Sequence, residues 1–195
     1  MCVDTIIARH IHDLRKARGF TLDQLAERSG VSRSMISLIE RQETSATAAV
    51  LNRLAMALDM TLAELFADNR KDSESPPLAR HAEQQVWTDP ESGYVRRQIS
   101  PARPSSPTEL VEVLFPAGQT VLFGSAMQAD PPYHQQVWML EGEMEIAVGN
   151  ECWQLKAGDC LAMTPGPQTR FTNNAPIPAR YLIALTTLPT PVRRP

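Results

Sequence analysis

The sequence predicts a two-domain α + β chain, helical over its first third and all-β over the remainder, and three observations carry that prediction. Apolar residues recur at three- and four-residue spacing from residue 4 to 66. A polar, proline-bearing run follows at 68–80, and beyond it short β-type segments alternate with Gly, Pro and Asn. The expected division is a helical domain over 4–67, a linker over 68–80 and a β domain over 81–195.

The helical pieces are Ile7, Ile11 and Leu14; Leu22, Leu25 and Ala26; Ile36 and Ile39; Leu51, Leu54, Ala55 and Leu58; then Leu62, Leu65 and Phe66. Cap chemistry sets their limits. Gly19 ends the first helix, and Thr21 with Gln24 has the T-x-x-Q form in which hydroxyl and amide satisfy the free groups of a helix start reciprocally. Gly30 ends the second helix and Ser32 caps the third, leaving only Ser29 to Ser32 between them. Helices joined that tightly cross steeply, as in a helix-turn-helix. Past the linker, nine strands are expected, near Tyr94–Ile99, Glu109–Phe115, Thr120–Phe123, Val137–Leu140, Met144–Val148, Cys152–Leu155, Cys160–Met163, Thr169–Thr172 and Arg180–Leu185. So many strands without intervening helices imply a sandwich or barrel.

Composition bounds the function. With 43% hydrophobic and 21% charged residues the chain is of ordinary globular type, and no apolar run is long enough to cross a bilayer as a helix. The start lacks a secretory pattern, so a cytoplasmic location is expected. Cys2, Cys152 and Cys160 are odd in number and form no C-x-x-C pair, which argues against a disulfide framework or a cysteine zinc site. Net charge is −3, and the parts before and after residue 70 carry 0 and −3. A neutral nucleic-acid reader must gather its cations on one face, for which Arg9, Arg15, Lys16, Arg18, Arg33 and Arg41 are candidates.

The run TLDQLAERSGVSRSMISLIE at Thr21–Glu40, with LNRLAMALDMTLAELF after it, resembles the XRE (Cro/repressor-like) helix-turn-helix family. The resemblance covers about Ile6 to Phe66 and implies a five-helix domain that binds double-stranded DNA in transcription regulation. It implies DNA contacts at Gln24, Arg33, Ser34 and Ser37, with Gln24 beside a phosphate, and the neighbouring Ser32 and Arg41 are further DNA-binding candidates. Helical geometry independently puts residues 33, 34 and 37 opposite the apolar Ile36 and Ile39. Arg33 is the best base reader, because a guanidinium can bond guanine O6 and N7 together. Two departures stand out: Gln42 where the family usually has Gly, and Ala46 where Pro commonly precedes the fourth helix.

From about Glu109 to Leu185 the stretches VWMLEGEMEIAVG and LKAGDCLAM resemble a cupin, which implies a double-stranded β-helix barrel. Cupins usually hold a divalent metal with three His and one Glu. Here the Glu position falls at Gln135, the paired His positions fall around Gln128 to Pro131, and the last His position falls at Thr169. One nearby imidazole, His134, with a neutral amide and hydroxyl is a poor cage, so neither metal nor other cofactor is expected. Strand alternation, with neighbouring strands, instead suggests a small-molecule effector pocket lined by Phe123, Gln135, Val137, Met139, Met163, Thr169 and Phe171, to which His134 is added as the one histidine near the site. Trp87 and Trp138 are read as packing or dimer-interface residues. The expected protein is a homodimeric, non-enzymatic regulator sensing a small organic effector. Two alternatives are a metal-dependent cupin oxygenase, since an epoxidase shares this layout, and a cupin that serves only as a dimerisation scaffold.

Overall fold

Caps divide the first 66 residues into α1 (Val3–Ala17), α2 (Leu22–Ser29), α3 (Arg33–Glu40), α4 (Ala48–Ala57) and α5 (Leu62–Phe66). The computed structural model describes residues 3–66, 77–101, 106–124, 133–166 and 168–187. The capping box at the start of α2 is complete: the Gln24 N–H donates to Thr21 Oγ1 at 3.1 Å and the Thr21 N–H donates to Gln24 Oε1 at 2.8 Å. Gly30 closes α2 in the left-handed region at φ 67, and Ser32 Oγ accepts the Met35 N–H at 3.2 Å to open α3. Arg53 Nη1 donates to Gly30 O at 3.2 Å, so α4 also holds the turn in place. Gln42 occupies the family's glycine position at φ 60, and Thr5 Oγ1 donates to its Oε1 at 2.8 Å. The loop therefore keeps the glycine conformation with a strained residue, and a side-chain bond helps hold it there.

The β region runs β1 (Val86–Thr88), β2 (Val95–Gln98), β3 (Thr108–Phe115), β4 (Thr120–Gly124), β5 (Tyr133–Glu141), β6 (Glu143–Val148), β7 (Glu151–Lys156), β8 (Cys160–Met163), β9 (Gln168–Thr172) and β10 (Ala179–Thr187). Each of the nine expected strands is present, β5 starting four residues earlier than expected. A short 3-10 turn at His81–Glu83 and strand β1 were not anticipated, three residues being too few for alternation to register. The linker expected at 68–80 lies outside the described residues except for its last four, which form no helix or strand.

The strands form two antiparallel sheets, ordered β1-β2-β3-β10-β5-β8 and β4-β9-β6-β7. Strands β3-β10-β5-β8 facing β4-β9-β6-β7 are an eight-stranded jelly roll, the architecture of cupins, to which β1 and β2 add an extension. At the β5–β6 hairpin Gly142 has φ 75, and a Cβ there would lie 2.8 Å from Pro178 O and 3.0 Å from Ala179 Cα. Only glycine suits both the backbone and the neighbour.

The extension makes the junction. Because β1 and β2 run past the smaller sheet, their inner face needs another cover, and α5 supplies it: Phe66 meets Trp87 with ring centroids 5.1 Å apart. The aromatic run continues from Trp87 to Tyr94 at 5.8 Å and from Tyr94 to Phe115, stacked at 5.8 Å. Helix α4 packs against β4, the edge strand of the smaller sheet. Asp89, 2% exposed, accepts the Ala48 N–H on Oδ1 at 2.8 Å and the Ser92 N–H and hydroxyl on Oδ2. A carboxylate from the β region thus caps a helix of the helical region. Beside this tie lies a cleft of 660 Å³, with Arg28 and Arg53 on one wall and Glu91 and Leu122 on the other.

Gly142→Ala should destabilise the protein by about 2–5 kcal/mol, combining left-handed strain with overpacking. Gly149→Ala, at φ 59 with nothing within 4 Å of the added carbon, should cost only about 1–2 kcal/mol from the same strain. Urea unfolding of both variants checks this, and equal losses would show that the contact at Pro178 contributes nothing.

Candidate functional site

Helix α3 presents its start to solvent. Ser32, Arg33 and Ser34 are exposed, Ser37 is half-buried, and Ile36 and Ile39 opposite them are buried in the helical core. Arg33 Nε lies 3.2 Å from Asp23 Oδ1 of α2, both side chains being exposed, and the Ser32 and Ser34 hydroxyls are 3.1 Å apart. Arg41 donates from Nε to Ser37 O at 3.3 Å and pairs with Glu43 at 3.1 Å. Gln24 is exposed, with its carbonyl engaged by the capping box and its NH₂ pointing away from that bond. These six residues lie on or beside the α2–α3 unit, as a groove-facing set must.

Arg15 is a correction. Expected among the cations of the reading face, it is 5% exposed and forms a two-pronged pair with Glu40, Nε to Oε1 at 2.6 Å and Nη2 to Oε2 at 2.7 Å, while Nη1 donates to Phe20 O at 3.0 Å. The Glu40 carboxylate holds the guanidinium above its ordinary pKa through that hydrogen bond, against the opposing effect of burial. Its role is to tie α1 to the end of α3. Arg18 lies 3.6 Å from Asp59, and Lys16 is exposed.

Inside the jelly roll, alternation places Gln135, Val137 and Met139 of β5, Met163 of β8, and Thr169 and Phe171 of β9 among the buried residues, with Phe123 half-buried. Gln135 pairs with Met163, and Phe123 with Thr169. An aromatic run crosses this interior: Phe123 meets Phe171 edge-on at 5.6 Å, and Phe171 stacks on Tyr181 at 6.1 Å. Burial raises the Tyr181 phenol well above its ordinary pKa, as it does that of Tyr94. His134 is a second correction. It is exposed, on the face of β5 opposite Gln135, with Nδ1 3.5 Å from Thr164 Oγ1, so it does not line the interior. Thr169 Oγ1 donates to Gly166 O and accepts the Gly166 N–H, each at 3.0 Å, which commits its proton to its own turn.

This donor set does not fit a divalent metal. Gln135 is neutral, Thr169 is bound within its turn, and His134 faces outward; among the described residues no three His, Cys, Asp or Glu side chains gather to hold an ion. The positions Gln128 to Pro131 lie outside the described residues. Sequence reasoning missed a buried polar group at the inner ends of β1, β2 and β3, comprising Gln85, Arg96, Gln98 and Glu109. Their alternation with Trp87, Val111 and Val113 was the available signal.

The helix-turn-helix family HTH_3 matches residues 11–65. The regulator SinR of Bacillus subtilis is 33% identical over 85 residues, which span 40% of this chain and 77% of SinR. This chain belongs to the HTH_3 helix-turn-helix family. Membership makes it a DNA-binding transcriptional regulator of XRE type, here carrying a cupin-type jelly roll. The HTH-type transcriptional regulator SutR of Escherichia coli is 26% identical over 76% of both chains. An HTH_3 family regulator of Vibrio cholerae has the same overall fold, with a TM-score of 0.73, 21% identity, and coverage of 95% of this chain and 97% of that one.

Arg15→Ala should cost the HTH_3 domain about 3–5 kcal/mol by leaving Glu40 buried without its partner. Arg15→Met with Glu40→Leu should recover most of that loss. Denaturant midpoints of the single and double variants check it, and an Arg15→Ala protein of unchanged stability with weakened DNA binding would return Arg15 to the reading face.

Proposed function

We propose that this regulator acts as a homodimer joined through its jelly rolls, reading two DNA half-sites with α3 and responding to a small organic effector held in the barrel. One observation carries the dimer: the outer face of the six-stranded sheet exposes large apolar side chains among a few polar ones. Cross-strand register lines up Glu112, Leu182, Trp138 and Cys160 in one row and Leu110, Ala184, Gln136 and Ala162 in the next. Trp138 is 49% exposed, Leu114 45% and Leu110 38%, large apolar side chains that a pairing surface would cover. Along one border run Arg97, Glu112, Arg180 and Glu141 in linked ion pairs, alternating in sign and so self-complementary under a two-fold axis. Trp87, the other tryptophan considered for an interface, is buried against α5.

In this reading residues 4–67 are the reading unit and 81–195 the sensing and pairing unit. Arg33 addresses base edges, Ser32, Ser34 and Ser37 support it, and Gln24 and Arg41 approach phosphate. Two-fold symmetry would set the half-sites about 34 Å apart or a multiple of it. The interior bounded by Gln135, Val137, Met139, Met163, Phe123 and Phe171 would take the effector, and the junction would carry its effect to α3. Relatives named as regulators, together with Gln135 and Thr169 where a cupin metal needs a carboxylate and an imidazole, support a non-catalytic, cytoplasmic protein without cofactor. The aromatic run from Phe123 to Tyr181 favours a second reading, in which the barrel is a packed scaffold for pairing alone.

Trp138→Glu should convert dimer to monomer on sedimentation, weakening association by about 2–4 kcal/mol, and should weaken operator binding with it. A variant that remains dimeric places the interface elsewhere. Arg33→Ala should weaken specific binding by about 1–3 kcal/mol and relax preference at one base pair per half-site, measured by selection of bound fragments. Uniform weakening across sequences would reassign Arg33 to phosphate.

A further inference from the structure

The cleft of 660 Å³ at the junction lies apart from the residues assigned to DNA reading and to the barrel interior, and its walls come from both halves of the chain. The helical wall is the end of α2, the turn at Gly30 and Arg53 of α4; the opposite wall is the turn after β1, with Glu91, and β4, with Leu122. A volume of this size falls within the roughly 300–1,000 Å³ of small-molecule sites. Helix α4 packs against β4, yet Leu122 remains 53% exposed, so beside the buried Val121 the cleft keeps an apolar patch that neither half covers.

Charge is divided across this cleft. Both guanidiniums of the helical wall are held by groups other than carboxylates. Arg28 lies over the Phe20 ring, 4.8 Å from its centroid, which occupies a face of the guanidinium and leaves its N–H edges for an acceptor. Arg53, half-buried, spends Nη1 on Gly30 O at 3.2 Å and has further N–H groups to offer. Among the described residues no ion pair joins either arginine to a carboxylate. Across the cleft Glu91 is exposed, and Glu27 stands beside Arg28 on α2; neither has an ion-pair or side-chain hydrogen-bond partner among the described residues. Asp89 also borders the cleft, but its oxygens are taken up by Ala48 and Ser92 at the start of α4. With Glu27 set against one of the two arginines, the helical wall carries one net positive charge and Glu91 opposite carries one negative charge.

We propose that this cleft binds a zwitterionic amino acid with an apolar side chain, its carboxylate on Arg28 and Arg53, its ammonium on Glu91 and its side chain over Leu122. A plain anion would face Glu91 and a plain cation would face two guanidiniums, whereas a zwitterion matches both walls. A guanidinium edge bonds a carboxylate through paired N–H groups, and an ammonium donates to a carboxylate in turn. Covering Leu122 adds the apolar contribution. The Phe20 ring and Gly30 O position the two guanidiniums before the ligand arrives, which lowers the cost of ordering them. The site is separate from the barrel interior and does not depend on an effector there. Occupancy would add a bridge between helices and sheets beside the Asp89 tie, and Arg53 links it to the turn that precedes α3.

Thermal unfolding of the full chain, at neutral pH and constant ionic strength, with leucine, 4-methylpentanoate, 3-methylbutylammonium and glycine as probes tests this. Leucine should raise the midpoint saturably, as a ligand of the folded state does. The other three lack in turn the ammonium, the carboxylate and the apolar side chain, and each should bind about tenfold more weakly or worse. Glu91→Gln and Arg28→Gln should each weaken leucine binding by about the same factor. Glu91 has no partner within the structure, so Glu91→Gln should fold as the parent does and read binding alone. Leu122→Ala should narrow the advantage of leucine over glycine. Equal shifts from leucine and either singly charged probe overturn the zwitterion site. A leucine response undiminished in Glu91→Gln and Arg28→Gln overturns it by placing the amino acid elsewhere, and no response to leucine overturns it while leaving the barrel effector untouched.

Discussion

The seating of Phe66 on Trp87 anchors the helical region to the sheets, with the Asp89 cap and the packing of α4 on β4 beside it. The jelly roll needs only eight strands to close its core, yet β1 and β2 extend the larger sheet beyond the smaller one and leave a face that only the helices can cover. Burying a tryptophan withdraws roughly 150–250 Å² from water, a stabilisation of about 4–6 kcal/mol. Tilting α5 away would forfeit part of this and would strip the Asp89 carboxylate from the start of α4. Helix α4 also covers the edge of β4, which would otherwise offer unpaired backbone to other chains. The helices therefore move with the sheet or not at all.

Local signals made much of this fold legible. Thr21, Gln24, Gly30 and Ser32 act within four residues of themselves, and their caps are those that cap chemistry alone predicts. Strand alternation likewise foretold the inward set from Gln135 to Phe171. His134 failed because proximity in sequence was allowed to outweigh parity: one residue from Gln135 along a strand is the opposite face. Arg15 failed for a different reason. On α1 it reads as a surface cation, and only the return of Glu40 at the end of α3, 25 residues later, makes it a buried pair. The Asp89 cap was invisible for the same cause, since its partner Ala48 lies on an element whose adjacency is set by tertiary packing.

Arg15's burial also changes the electrostatics of DNA reading. Of the cations left for that task, Arg18, Arg33 and Arg41 each lie within an ion pair's reach of a carboxylate: Asp59, Asp23 and Glu43. Exposed pairs of this kind are worth only about 0–1 kcal/mol, so phosphate or guanine can displace the carboxylate at small cost. The displaced carboxylate nevertheless remains near the duplex and repels it. A single helical domain with zero net charge over its first 70 residues is accordingly a weak binder on electrostatics alone. Paired ions do, however, hold Arg33 extended beside α2 rather than free to wander, which lowers the entropic cost of placing it against a base. The balance favours discrimination over grip. In the proposed dimer grip would come from joining two such units, and the outer face of the six-stranded sheet would then count among the determinants of affinity.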